Sequence, residues 1–179
     1  DSLLVMQLPF AQGGYIQQVF SLSEGSYMMQ NELSFVGMGE VIPRNVSMLD
    51  IDWNVVIPRL EKGYKNENMY TTLVYHFPGE KDVEDLGISE SSKSDDIAAS
   101  VDWVSFKQQF FSSALIGRST NLRQPQVSYS TNEAKSGYIK DFALESSVDY
   151  TPQTTAYDFS FYLGPNKFST LKKLTDNNG

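Results

Sequence analysis

Apolar and polar side chains alternate along most of this chain. Leu49, Ile51, Trp53, Val55 and Ile57 share one phase, with Asp50, Asp52 and Asn54 in the other. Tyr157, Phe159, Phe161 and Leu163 repeat the pattern around Asp158 and Ser160. Phe142, Leu144, Val148 and Tyr150 do so opposite Ala143, Glu145, Ser147 and Asp149, and Tyr27, Met29, Leu33 and Phe35 form a fourth run. Successive side chains of a strand point to opposite faces, so each run predicts a half-buried strand of an antiparallel sheet. Residues 3–8, 15–22, 69–77, 98–106, 109–117 and 126–131 are less regular strand candidates. Turn-rich segments such as Gln12-Gly13-Gly14, Ser23-Glu24-Gly25 and Phe77-Pro78-Gly79-Glu80 separate them. Strands recurring this often with few helices predict a mainly β, antiparallel sandwich.

Two segments leave the pattern. Residues 80–97 are rich in Asp, Glu, Ser and Lys and predict a solvated loop, with one helical turn around Val83–Leu86. Residues 165–174 predict a short C-terminal α-helix. Pro165 suits a first helical position, where its missing N–H would be unpaired anyway. Phe168, Leu171 and Leu174 then share one face, and Lys172 and Lys173 sit at the negative end of the helix dipole.

Composition narrows the functional classes. The chain has 179 residues, 40% of them apolar, with 11 Phe, 10 Tyr and 2 Trp to build a core. That length suits one domain, residues 1–179, burying roughly 70% of the surface its unfolded form exposes. A net charge of −8 repels a phosphate backbone, and no basic cluster reverses it locally, so nucleic acid is excluded as a partner. Cysteine is absent, which removes disulfides and thiolate chemistry. No run of about 18 apolar residues is present to span a bilayer. The chain starts at Asp1, inside what reads as a strand, and is expected to be an internal piece of a longer protein.

The search for catalytic chemistry returns little. His76 is the single histidine and reads as a half-exposed strand residue. One histidine without cysteine does not make a zinc site, and Asp50-Ile51-Asp52 lacks the spaced ligands and turn glycine of a calcium loop. Glu61 with Glu67, and Asp95 with Asp96, read as solvated carboxylates. Gly164-Pro165-Asn166 opens the expected helix and reads as a plain helix start. No catalytic residue, cofactor or metal is expected.

Two stretches are distinctive. The run from Val101 to Ile116, with Trp103, Phe106, Lys107, Phe110 and Phe111, resembles the Trp-x-x-x-Lys-x-x-Tyr/Phe-Phe segment of the large periplasmic domain of the YidC insertase family. Phe161-Tyr162-Leu163-Gly164-Pro165-Asn166-Lys167 resembles that domain's last strand, entering its C-terminal helix through Gly164 and Pro165. Glu61-Lys62-Gly63, Asn66-Glu67-Asn68 and Lys135-Ser136-Gly137-Tyr138 are similar as well. The resemblance covers roughly residues 1–174.

What the resemblance implies is specific. The fold would be a β-supersandwich of the galactose-mutarotase type, here lacking strands at its N-terminal edge. Trp103, Phe106, Phe110 and Phe111 would be core residues, and Gly164 and Pro165 a strand-to-helix joint. The parent would be a multi-pass protein of the bacterial inner membrane, with this domain on the periplasmic side. It would assist insertion and folding of nascent membrane proteins, alone or with the Sec translocon, as a non-catalytic interaction module. Phe168, Leu171, Lys172 and Lys173 are the candidate interaction helix. The rival implied by the fold is a carbohydrate-binding or mutarotase-like sandwich, against which the lack of a second histidine argues.

Overall fold

The computed structural model describes residues 2–88 and 91–167. In chain order the strands are β1 (Ser2–Pro9), β2 (Tyr15–Leu22), β3 (Met28–Val36), β4 (Met48–Pro58), β5 (Thr72–His76) and β6 (Glu84–Asp85). β7 (Ser92–Asp96), β8 (Trp103–Lys107), β9 (Phe111–Gly117), β10 (Arg123–Thr131), β11 (Tyr138–Asp149) and β12 (Ala156–Pro165) complete the set, and α1 (Tyr64–Tyr70) lies between β4 and β5. The strands form two sheets, of order β1-β2-β3-β12-β9-β8-β5-β6 and β4-β11-β10-β7, with every pair antiparallel.

The predicted alternation is what holds the sheets face to face. Ile57, Phe142, Leu144 and Val148 point inward from the four-stranded sheet. Leu73, Val104, Phe106, Leu115, Tyr157 and Phe159 meet them from the eight-stranded one. Trp53 bridges the layers, stacked on Phe106 at 4.3 Å and edge-on to Phe161 at 6.1 Å. Burying each large aromatic contributes about 2–3 kcal/mol.

The larger sheet extends beyond the smaller. Leu4, Met6 and Leu8 of β1 lie in register with Phe20, Gln18 and Ile16 of β2, continuing the inward-facing side of the sheet. All eight residues of β1 are nevertheless exposed, Leu3 at 69% and Leu8 at 59%. No charged side chain occurs in residues 2–22.

Four expectations are corrected. Residues 80–97 contain β6 and the edge strand β7, because β10 supplies backbone partners from Gln126 to Ser130 that outweigh the polar side chains. Residues 64–70 form a helix, so Glu67, expected in solvent, is 2% exposed. Its carboxylate accepts the backbone N–H groups of Leu60 at 2.9 Å and Glu61 at 3.1 Å. Pro165 closes β12 opposite Phe111 instead of opening a helix, and Asn166 and Lys167 follow without regular structure. Phe168, Leu171, Lys172 and Lys173 lie outside the described residues. Phe110 and Phe111, expected in the core, are 53% and 49% exposed, because they sit at the β8–β9 turn beyond the reach of the smaller sheet.

Candidate functional site

A groove of about 890 Å³ opens on the face of the eight-stranded sheet that turns away from the core. It follows from a second alternation, opposite in phase to the apolar one. Val74, Ser105, Ala114, Tyr162 and Met28 lie directly opposite one another across five strands. One rung further, His76, Trp103, Ile116, Ser160 and Gln30 do the same, and on the other side Lys107 pairs with Ser112 and Ser112 with Gly164. Small residues at the centre (Ser105, Ala114, Ser112) make the trench; Trp103 and Ile116 wall one end, Tyr162 and Met28 one flank.

Gly164 is needed there. A Cβ at this position would lie 2.7 Å from the Tyr27 side chain and 2.8 Å from the Tyr162 hydroxyl. The hydroxyl donates instead to the Pro165 carbonyl at 2.6 Å. Asn166 then ties the β8–β9 turn to the end of β12. Its amide donates to the Gln108 carbonyl at 2.8 Å, and its side-chain oxygen accepts from the Ser112 hydroxyl at 2.6 Å.

The electrostatics of the groove differ from those of the chain. Lys107 and Arg118 against Asp102 leave it locally cationic in a protein of net charge −8. The guanidinium of Arg118 donates to Ser160, which donates to Gln30. The side-chain carbonyl of Gln109, which lines the groove, is buried with no hydrogen-bond partner among the described residues. An occupant offering an N–H or O–H there would satisfy it.

At the Trp103 end, the His76 ring stacks parallel to the indole, 3° between planes and 5.6 Å between centroids. Its Nδ1 is 2.8 Å from Asp102 Oδ1 and its Nε2 is 3.0 Å from the Glu80 carbonyl oxygen. Burial works against the charged ring, but the bonds to Asp102 and Glu80 and their carboxylate charges outweigh it and raise its pKa above 6.5. Among the described residues no group of three or more His, Cys, Asp or Glu converges as a metal site would require.

The sequence motif is therefore divided by the fold. Phe106 enters the core, Trp103 and Lys107 face the groove, and Phe110 and Phe111 are exposed and line neither. Met28, Asp102, Ser105 and Arg118 are lining residues that the sequence did not single out, and Tyr162 and Asn166 line it too, although they stood out only as part of the motif around Gly164 and Pro165. The available signal was the second phase of the strands, Trp103-Ser105-Lys107 and Ser112-Ala114-Ile116, where small and polar residues alternate with the core positions.

Fold and groove together define a two-sheet antiparallel sandwich with a concave polar-rimmed face. The YidC periplasmic domain family matches residues 2–178, and the chain belongs to that family. Relatives named membrane protein insertase YidC include those of Bacteroides fragilis, 33% identical over 177 residues and 97% of this chain. That of Phocaeicola vulgatus is 33% identical over 98% of the chain, and that of Porphyromonas gingivalis 30% over 96%. The chain spans 27–28% of the length of these relatives. Family membership places it on the periplasmic side of a membrane protein, and no described helix is long and apolar enough to cross a bilayer.

Proposed function

We propose that this chain is the periplasmic interaction module of a membrane protein insertase and carries out no chemical step itself. The groove holds an apolar stretch of a nascent membrane protein while the parent protein's membrane segments perform insertion. The observation that carries this reading is the trench of small residues between Trp103 and Tyr162, rimmed by Lys107 and Arg118. It offers apolar floor and scattered hydrogen-bonding groups, a combination suited to binding. The sheet edges, and the segment 165–174 with Phe168, Leu171, Lys172 and Lys173, are the surfaces for Sec translocon components.

Filling the trench tests the reading. Ala114→Phe in the full-length protein should impair insertion of a dependent client while leaving the domain folded; unchanged insertion and unchanged peptide binding would refute it. Deleting residues 168–174, which spares Pro165 of β12 and the groove residue Asn166, should impair insertion separately, and normal insertion would remove this segment from the account.

The pairing of His76 with Asp102 beside an aromatic wall favours a second reading, a sugar-binding sandwich. Both ring nitrogens of His76 are engaged by protein acceptors, which leaves it poorly placed to exchange protons with a sugar. Hexose titration decides: saturable binding lost in His76→Gln would favour this rival.

A further inference from the structure

The two partners of His76 are both acceptors. Asp102 presents a carboxylate oxygen, and Glu80 presents a backbone carbonyl. A neutral imidazole carries one N–H and can satisfy one of them; an imidazolium carries two and satisfies both. The charge-assisted bond to Asp102 is the stronger, so a neutral ring keeps it. Its bare Nε2 lone pair then faces the lone pairs of the Glu80 carbonyl.

We propose that His76 is a proton-operated latch at the groove rim. Protonated, it ties the Phe77–Glu80 turn, closed by the Glu80 N–H to the Phe77 carbonyl at 3.1 Å, to Asp102 at the start of β8. Deprotonated, it lets go of the turn while remaining stacked on Trp103. The charged groups around it are the carboxylates of Asp102 and Glu80, with Lys81, Asp82, Glu84 and Asp85 following on the same excursion and Arg118 lining the groove beside Asp102. Asp102 and Trp103 also line the groove, which puts the latch at its rim.

The latch is independent of what the groove holds. Its sign follows from linkage: a raised histidine contributes stability that is fully present below the unfolded value near 6.5 and is lost as pH rises through the higher folded value.

His76 is the single histidine, so its ring resonances in an NMR pH titration of the full chain need no disentangling. The expected result is a midpoint above 6.5, with the backbone amides of Gly79, Glu80 and Lys81 shifting at the same midpoint. Asp102→Asn should lower that midpoint, and His76→Gln should abolish the pH dependence of the three amides. A midpoint at or below 6.5, amides that do not follow the ring, or amides that still titrate in His76→Gln would each overturn the latch. If the Asp102 variant fails to fold, the wild-type ring and amide midpoints and the His76→Gln spectra still decide.

Discussion

The ammonium nitrogen of Lys140 lies 2.7 Å from the backbone carbonyl oxygen of Thr71, just past the last residue of α1. No part of Lys140 is exposed, and its nitrogen sits 4.5 Å from the centroid of the Tyr129 ring. It makes no ion pair with a carboxylate among the described residues. The buried cation thus anchors the helix to β11 through a carbonyl dipole and an aromatic face.

Burial pushes this ammonium down to about 8 from its ordinary value of 10.5. The folded chain releases the proton before the unfolded chain does, so between about pH 8 and about pH 10 the unfolded state binds more protons and stability rises with pH. The slope from this residue is at most about 1.4 kcal/mol per pH unit. Buried Tyr75, Tyr157 and Tyr162, raised chiefly by desolvation, oppose it above that window. Urea unfolding at several pH values, compared with Lys140→Met, measures the effect; identical slopes for the two proteins would rule it out.

Glu67→Ala should cost about 1–3 kcal/mol, because two part-buried N–H groups lose their acceptor and the buried side chain leaves a gap. Glu67→Gln keeps one acceptor oxygen and should cost less. Urea midpoints rank the three proteins, and an Ala variant as stable as wild type would show the carboxylate to be dispensable.

Gly117→Ala places a Cβ 1.9 Å from the Thr120 carbonyl oxygen, a backbone atom that cannot rotate away. Gly39→Ala meets nothing within 4 Å. The first should destabilise by about 1–3 kcal/mol, the second by well under that. Thermal melts compare the pair, and equal melting temperatures would mean that the 118–120 turn yields freely.

The uncharged, apolar β1 edge should make the isolated chain self-associate with rising concentration. Val5→Lys should suppress that association with little loss of stability, since Val5 is 48% exposed. Light scattering across a concentration series is the check; a wild-type chain that stays monomeric throughout contradicts it.

Much of the sandwich was legible because burial on one face imposes a period of two. Leu49 through Ile57 needed no more than that alternation. Lys140 obeyed it too: it shares the phase of Phe142 and Leu144, and its charge hid its place in the core. Glu67 was illegible because its burial depends on α1, a helix of seven residues with no side-chain cap to announce it. β7 was illegible because its strand character comes from β10 and not from its own Ser-Lys-Ser-Asp-Asp. The groove required knowing that β5, β8, β9, β12 and β3 are neighbours, an order set by contacts across more than a hundred residues. Its lining was written in the weaker, second phase of those strands.

That strand order has a consequence in time. β3, residues 28–36, hydrogen-bonds with β12, residues 156–165, so the edge of β3 that faces away from β2 has no partner strand until β12 has been made. At about 5–20 residues per second, the wait lasts on the order of ten seconds, and sheets closed by such distant pairings also fold slowly once complete. Throughout that interval the nascent chain carries an uncharged, apolar hairpin in the open. A protein whose relatives are insertases is thus itself vulnerable as it is made, and β1 to β3 need shielding until β12 arrives.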